Sequence, residues 1–142
     1  MHLSRFPRVR FTHAPTPLEP MPNLTKHLGG PTLFVKRDDC TGLAFGGNKV
    51  RKLEFLLGDA LAQGATHVVT HGATQSNHVR QTAAAACKVG LRCTALLEER
   101  VRGRGAEYET NGNVLLDRIL GCALESRPDG LDMGKELAAV GE

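Results

Sequence analysis

Aromatic residues are nearly missing from this sequence. Its 142 residues include no Trp and one Tyr, and aromatic residues make up 4% of the chain. A folded core therefore has to be built mainly from Leu, Val and Ala. Long apolar runs are also missing, since segments such as residues 83–87 are far shorter than the roughly 18 residues of a membrane-spanning helix. We therefore expect a globular protein with no membrane partner.

The sequence has neither a large excess of one charge sign nor the cysteine spacing that is typical of disulfide frameworks and metal sites. The 18 Lys and Arg residues against 15 Asp and Glu residues give a net charge of +3, which is too small to predict a nucleic-acid partner. The 4 cysteines form no Cys-x-x-Cys pair, so we expect neither a disulfide framework nor a bound metal. The N-terminus lacks the apolar segment of a secretory signal, which together with free thiols favours a cytoplasmic protein.

Strand-like and helix-like segments alternate along most of the chain. The first thirty residues are rich in proline and are predicted to form an extended arm with turns. A strand is predicted at residues 32–36 and a loop at 37–48, followed by an amphipathic helix from Val50 to Gly64. Further strands are predicted at residues 67–70, 92–97 and 122–125, with Ser76 or Asn77, and then Asn113, as N-caps of the helices between and after them. Strand starts roughly 25–30 residues apart are typical of βαβ units, so the predicted fold class is α/β with a parallel sheet.

The first candidate site is the sequence Gly-Gly-Asn-Lys at residues 46–49. Two glycines before a helix let the backbone adopt unusual dihedral angles. Lys49 then falls at the positive end of the helix dipole, which favours its neutral amine, and a neutral amine can form a Schiff base with a carbonyl group. An ordinary solvated lysine beside Arg51 and Lys52 is the alternative, and the residues alone favour it.

The second candidate site is the sequence Gly-Ala-Thr-Gln-Ser-Asn-His at residues 72–78. It lies between a predicted strand and a predicted helix, where α/β sheets usually bind ligands. Free N–H groups at such a helix start bind carboxylate or phosphate groups, and Ser76, Asn77 and His78 add a hydroxyl, an amide and an imidazole. The alternative is an ordinary helix N-cap at Ser76, and the residues alone favour neither interpretation.

Two charged clusters are weaker candidates. Asp38 and Asp39 could bind a metal, but a turn after the predicted strand is the simpler interpretation. Arg100, Arg102 and Arg104 could bind a phosphate group, although a solvated loop is the more ordinary structure for them. Neither cluster predicts a site by itself.

Four segments together resemble one enzyme family. They are KRDDCTGLAFGGNKVRKLEFL, GATQSNHVRQTAAAACKVGL, LLEER and NGNVLLDRILG, in the family's order. The family is the pyridoxal-phosphate (PLP)-dependent group that contains D-cysteine desulfhydrase, L-cysteate sulfo-lyase and 1-aminocyclopropane-1-carboxylate (ACC) deaminase. The resemblance implies a tryptophan-synthase-β-like fold (fold type II), PLP as the cofactor and a small amino acid as the substrate. It also makes Lys49 the favoured candidate for the cofactor lysine.

The resemblance implies a role for each candidate residue. Lys49 would hold PLP as a Schiff base and then move protons at the substrate α-carbon, with Asn48 and Asn77 also binding the cofactor. Ser76 and His78 would be catalytic, and Ser76, Asn77 and His78 would bind the substrate. The implied reaction is an α,β-elimination, which converts L-cysteate to pyruvate, sulfite and ammonia, or D-cysteine to pyruvate, sulfide and ammonia.

Other functions remain open at this point. ACC deaminase is one alternative, because LAFGGNK is similar to that enzyme while SNH is similar to the desulfhydrase and sulfo-lyase branch. A non-catalytic α/β module that binds anions at Ser76 is an alternative of another class. A third is an interaction protein whose basic loop, from Arg100 to Arg104, docks an acidic partner.

Family members are much longer than this chain. The resemblance therefore implies an N-terminal fragment, with residues 1–52 as part of the large cofactor domain and residues 53–142 as an incomplete small α/β domain. It places the cofactor phosphate site beyond residue 142 and implies a homodimer for the complete protein. In the isolated fragment we expect the leucines on the apolar face of the helix at Val50 to be partly exposed, and we expect no activity.

Overall fold

Two β-sheets organise the chain, which a computed structural model describes over residues 2–141. A two-stranded antiparallel sheet is formed by β1 (Leu18–Pro20) and β2 (Phe34–Lys36). A three-stranded parallel sheet is formed, in this spatial order, by β3 (His67–Ala73), β4 (Arg92–Glu99) and β5 (Ala123–Pro128). The predicted α/β fold with a parallel sheet is confirmed.

Helices alternate with the parallel strands, as the sequence pattern predicted. The α-helices are α1 (Pro22–Leu28), α2 (Val50–Ala62), α3 (Asn77–Lys88), α4 (Ala106–Thr110), α5 (Gly112–Ile119) and α6 (Met133–Gly141). Short 3-10 turns lie at Leu3–Arg5, Asp38–Thr41 and Leu43–Phe45. Within residues 2–141 no helix combines the length and the apolar character that a bilayer crossing requires.

The proline-rich arm is not wholly extended, which corrects the prediction. Helix α1 forms within it because Pro22 occupies the first helical position, where its fixed φ fits and its missing N–H is not needed. Gly29 ends the helix with a left-handed backbone (φ 64°), and its N–H donates to the Thr25 carbonyl at 3.0 Å. Strand β2 begins at Phe34, two residues later than expected.

Local side chains cap helices α3 and α5. Ser76 caps α3, and its Oγ accepts a hydrogen bond from the Val79 N–H at 3.4 Å. The cap of α5 is Asn111, whose Oδ1 accepts from the next backbone N–H at 2.8 Å. The prediction of Asn113 as this cap is wrong, because the Asn113 side chain donates instead to the Gln75 carbonyl at 2.8 Å.

Two clusters of small and aliphatic residues form the core. The first lies between α3, β4 and α5 and contains Val79, Ala83, Ala86, Cys93, Ala95, Leu97, Val114 and Cys122. The second joins the N-terminal arm to α2 and α3 and contains Phe11, Val50, Leu53, Leu57 and Ala85. The exposure expected for the leucines of α2 is found at Leu56 (55%) but not at Leu53 or Leu57, which Phe11 and Ala85 help to cover.

A buried carboxylate fastens the N-terminal arm to α2. Glu54 accepts hydrogen bonds from the Phe11 N–H (2.9 Å), the Thr12 N–H (2.7 Å) and Arg8 Nε (2.7 Å). Burial opposes the ionised form of this carboxyl, but the hydrogen bonds outweigh burial and lower the Glu54 pKa to about 2. The arm therefore packs on the helix that begins directly after Lys49.

Candidate active site

Lys49 lies directly before α2, at the end of a loop with an unusual backbone. Gly46 (φ 73°) and Gly47 (φ 135°) both have positive φ. A Cβ on Gly46 would lie 1.7 Å from the Asp39 carbonyl oxygen, and one on Gly47 would lie 2.5 Å from Gln81 Oε1. Both positions therefore require glycine, because no L side chain fits either the space or the dihedral angles.

The backbone around Lys49 is bound to α3. The Lys49 N–H donates to Gln81 Oε1 at 3.2 Å, and Gln81 Nε2 donates to the Gly47 carbonyl at 3.1 Å. Arg80 Nη2 donates to the Gly46 carbonyl at 2.9 Å. Lys49 itself has helical dihedral angles at the N-cap position, and its side chain is half-buried. Asn48 is exposed beside it.

The segment from Ser76 to His78 forms the N-terminus of α3, after the carboxyl end of β3. Ser76 is half-buried and packs over Gly72, where an added Cβ would lie 2.6 Å from Ser76 Oγ. Asn77 is exposed and is the first residue of the helix. The N-cap interpretation of Ser76 is thus confirmed as geometry. The same helix start also has the backbone N–H groups and partial positive charge that attract anions.

His78 is a neutral imidazole in a pocket between α2 and α3. Its Nε2 lies 3.3 Å from Thr70 Oγ1, and its Nδ1 lies 3.4 Å from Thr82 Oγ1. Burial, followed by the nearby charges of Lys52 and Lys49, lowers the His78 pKa to about 4. The ring beside this pocket, a cavity of about 150 Å³, therefore carries no charge at neutral pH.

The predicted site residues fall at the starts of two contacting helices. Asn77 precedes Gln81 by four residues, so both side chains lie on one face of α3, and Gln81 contacts the Lys49 backbone. The Lys49 charge is close enough to act on His78. The structure therefore places Lys49 and the start of α3 in one region.

Several polar residues of this region were not predicted from the sequence. Gln81 and Arg80 are described above. Gln75 Nε2 donates to the Tyr108 carbonyl at 2.6 Å, while Gln75 Oε1 accepts from the Asn113 N–H at 2.9 Å. The local sequence pattern gives no signal for Gln81, since the two partners of its amide, Lys49 and Gly47, lie 32 and 34 residues away in the chain.

A carboxylate also lies near the carboxyl end of β4, in this part of the sheet. His71 Nδ1 lies 3.1 Å from Glu98 Oε1, and Arg100 Nη2 donates to the same oxygen at 2.7 Å. The hydrogen bond from Arg100 has the largest effect on the Glu98 carboxyl and lowers its pKa below the usual range. The contact with His71 lowers this pKa further, while burial acts in the opposite direction. His71 of β3 therefore contacts a side chain of the neighbouring strand β4.

Members of both charged clusters contact neighbouring side chains. Arg51 Nη2 donates to Asp38 at 2.6 Å, and Arg37 Nη2 donates to Asp39 at 2.7 Å. In the basic loop, Arg104 lies over the Tyr108 ring at 5.8 Å. Within residues 2–141, no group of three or more His, Cys, Asp or Glu side chains is placed to hold a metal ion.

The fold and this region together define a class of protein. An α/β domain with a lysine beside a helix N-terminus suits a ligand that carries both a carbonyl carbon and anionic groups. Residues 9–140 match the family described as pyridoxal-phosphate-dependent enzyme. Because this match covers most of the chain, the protein belongs to the family of PLP-dependent enzymes, and PLP is that family's cofactor.

Named relatives show which members of this family the chain is similar to. The chain is 55% identical to D-cysteine desulfhydrase of Salmonella typhimurium over 124 residues, which are 87% of this chain and 38% of that protein. It is 59% identical to D-cysteine desulfhydrase of Klebsiella pneumoniae over 124 residues, with the same 87% and 38% coverage. A crystal structure of an ACC deaminase homologue matches with a TM-score of 0.84 and 42% identity, covering 99% of this chain and 43% of that one.

The comparisons confirm the predicted family and fold class. The chain spans about 38% of the length of the D-cysteine desulfhydrases that it matches. Substrate, activity and partners of the whole protein are therefore matters of proposal.

Proposed function

We propose that this chain is the N-terminal part of a PLP-dependent lyase that eliminates the β-substituent of D-cysteine or L-cysteate. The observation that carries the proposal is the position of Lys49, whose backbone is bound to the helix that begins with Asn77 and His78. Identities of 55% and 59% to two D-cysteine desulfhydrases support a cysteine-like substrate. The 38% share of those proteins supports a longer complete enzyme.

The side chains present fit part of the PLP molecule. The Lys49 amine is the group that binds an aldehyde carbon, and the exposed Asn77 amide can donate to the ring hydroxyl oxygen. Asn48, exposed beside the lysine, adds a second amide to the cofactor side. Lys49, Asn48 and Asn77 are therefore the residues that we assign to cofactor binding.

The remaining residues act on the substrate in this proposal. When bound, PLP withdraws electrons from the substrate α-carbon. Lys49 Nζ moves a proton at that carbon, and the N–H groups at the start of α3 hold the substrate carboxylate. Ser76 and His78 bind and orient the amino acid, His78 as a neutral ring because its pKa is lowered to about 4.

The domain division stays a proposal. Residues 1–52 would belong to the large cofactor domain and residues 53–142 to the small domain, so the boundary falls in the first turn of α2. The complete protein would be a homodimer.

ACC deaminase is the second candidate activity. A specific observation favours it, because one solved structure that matches this chain is of an ACC deaminase homologue, at 42% identity. The D-cysteine desulfhydrases are the more similar relatives, at 55% and 59%. The two activities differ in product, since elimination from cysteine or cysteate releases sulfide or sulfite.

The test is chemical trapping of the cofactor. The complete gene product, meaning the full reading frame that contains residues 1–142, is incubated with PLP, reduced with borohydride and digested for mass spectrometry. We expect PLP on Lys49, and we expect Lys49→Ala to lose both the label and the release of pyruvate from D-cysteine or L-cysteate. Ammonia release from ACC is assayed in parallel.

Lys52→Ala is the matched control, since Lys52 is an exposed lysine in the first turn of the same helix. It should retain the label and the turnover. Label on Lys52 or Lys36 in the wild type would contradict the assignment of Lys49. Ammonia from ACC without sulfide or sulfite from the other substrates would select the second candidate.

A further inference from the structure

The side chain of Gln81 is completely buried, and both ends of its amide bind the segment that carries Lys49. Its exposed fraction is 0%. Gln81 Oε1 accepts from the Lys49 N–H at 3.2 Å, and Gln81 Nε2 donates to the Gly47 carbonyl at 3.1 Å. One residue of α3 thus fixes the backbone on both sides of Asn48.

The segment before Lys49 needs such an external support. Ala44 (φ 45°) and Phe45 (φ 67°) have the left-handed backbone that L residues rarely adopt, and two glycines with positive φ follow them. Strained backbone of this kind persists only where surrounding contacts hold it. The N–H at the start of a helix also lacks an intrahelical acceptor, and Gln81 supplies one to Lys49.

Arg80, the preceding residue of α3, extends the support to the second motif. Its Nη2 donates to the Gly46 carbonyl at 2.9 Å, and its Nη1 donates to Asn113 Oδ1 at 2.7 Å. Asn113 in turn donates to both oxygens of Gln75, at 2.9 Å from its N–H and 2.8 Å from Nδ2. Gln75 directly precedes Ser76, so one chain of hydrogen bonds connects the Gly46 segment to the start of α3.

We propose that Gln81 is a positioning residue that sets where the Lys49 amino group stands relative to the Ser76–His78 segment, with Arg80 supporting the preceding glycine. The inference rests on the proposed function of Lys49 as the cofactor lysine. Gln81 acts through the backbone and touches neither cofactor nor substrate. Its removal should therefore affect the rate of chemistry at Lys49 more than the affinity for the amino acid.

The experiment compares Gln81→Leu with the wild type in the complete gene product. The first measurement is amide hydrogen exchange of the cofactor-free protein, in which the Lys49 N–H should exchange at least about 10-fold faster in the variant. The second is steady-state kinetics with PLP, in which kcat should fall about 10-fold to 100-fold, the size expected for a misplaced catalytic group, while KM changes less than about twofold.

Gln63→Leu is the matched control, because the Gln63 amide is exposed at the far end of α2, where it donates to Asp59 at 2.7 Å. It should leave the Lys49 exchange rate and kcat unchanged. If circular dichroism finds Gln81→Leu unfolded, Gln81→Asn takes its place, since it keeps a buried amide but is one methylene too short to reach both backbone groups.

The outcomes separate the two proposals. Unchanged Lys49 exchange and unchanged kcat in a folded Gln81 variant would overturn the positioning inference while leaving the cofactor lysine in place. A wild-type protein that borohydride does not label at Lys49 would overturn the proposed function instead. Lys49 exchange that is at least about 10-fold faster, together with about a 10-fold to 100-fold loss of kcat and a KM within about twofold of the wild type, supports the inference.

Discussion

Asp117 is a completely buried carboxyl group whose protonation depends on its surroundings. Its exposed fraction is 0%, and neither oxygen has a hydrogen-bond partner among residues 2–141. Burial raises the Asp117 pKa to about 7, although the nearby Arg80 charge opposes the increase. Near neutral pH this residue of α5 therefore changes between a neutral and a charged form inside the fold.

This pKa makes stability depend on pH in a defined direction. Below about pH 4 the carboxyl is protonated in both the folded and the unfolded chain. Between about pH 4 and 7 the folded state keeps a proton that the unfolded state releases, so the free energy of unfolding falls as pH rises. Above pH 7 the Asp117 carboxyl is ionised in both the folded and the unfolded chain. The decrease in the free energy of unfolding then reaches its full size, up to about 4 kcal/mol.

We therefore predict that Asp117→Asn removes this pH dependence. The variant should gain stability relative to the wild type as pH increases from 4 to 8, by up to about 4 kcal/mol. Urea unfolding of residues 1–142 at several pH values measures it. Asp129→Asn, at an exposed position, is the control and should follow the wild type at every pH. A constant difference between Asp117→Asn and the wild type would mean that Asp117 is ionised throughout.

At the scale of elements, the attachment of the N-terminal arm depends on one helix residue. Glu54 of α2 is 0% exposed and accepts from two backbone N–H groups of the arm and from Arg8. Its pKa is lowered to about 2, so it contributes stability above its unfolded value, and this contribution is lost as pH falls from about 4.5 toward 2. The arm and α2 should therefore separate most easily in acid.

We predict that Glu54→Gln destabilises the chain by about 3 kcal/mol at pH 7, because it leaves the buried donors of the arm without a carboxylate. The difference from the wild type should shrink as pH falls below about 4.5. Urea unfolding measures the first effect, and limited proteolysis of residues 1–16 reports on release of the arm. Glu19→Gln is the control, since its pair with Arg37 is half-exposed and should contribute less than about 1 kcal/mol. Equal effects of the two variants would mean that Glu54 is not an anchor.

The sequence predicts the regular elements of this fold better than their long-range contacts. Apolar residues at helical spacing located α2, and Val50, Leu53 and Leu57 are buried as that spacing requires. The sequence pattern does not predict helix α1, because a proline-rich segment is typical of extended chain and turns, whereas Pro22 starts a helix. Apolar periodicity reports on residues within one regular element. It therefore gives no sign that a single proline starts a helix inside a segment that is expected to be extended.

Local patterns select candidate site residues but miss the long-range contacts of these residues. Lys49 and Ser76–His78 could be selected because each follows a glycine-containing loop at a helix start, although for Lys49 the residues alone favour a solvated lysine and only the family resemblance reverses that preference. Gln81 could not, because its partner Gly47 is 34 residues away in the chain and only the fold brings them together. The conformation of the segment that carries Lys49 is thus held by contacts that the local sequence pattern does not contain.

At the scale of the whole molecule, an apolar surface remains uncovered near the N-terminus. Leu3 (58%), Phe6 (45%) and Leu56 (55%) are exposed, and they line a cavity of about 400 Å³ together with Phe55. Phe45, in the loop before Lys49, is 79% exposed. Exposed apolar surface of this kind promotes association between chains. The chain also spans about 38% of the length of the D-cysteine desulfhydrases that it matches.

We therefore predict that residues 1–142 alone bind PLP weakly, associate in solution and release no pyruvate from D-cysteine or L-cysteate. An amine can form an imine with free PLP, but water reverses this reaction unless further contacts hold the cofactor. Absorbance titration with PLP, light scattering and a pyruvate assay on the purified chain measure the three effects. The double variant Phe6→Ser, Leu56→Gln should associate less, because it removes apolar side chains from the exposed surface, and it should leave the weak PLP binding unchanged. Robust turnover by the purified chain would contradict the prediction, and it would mean that these residues already contain a complete site for the cofactor and its phosphate.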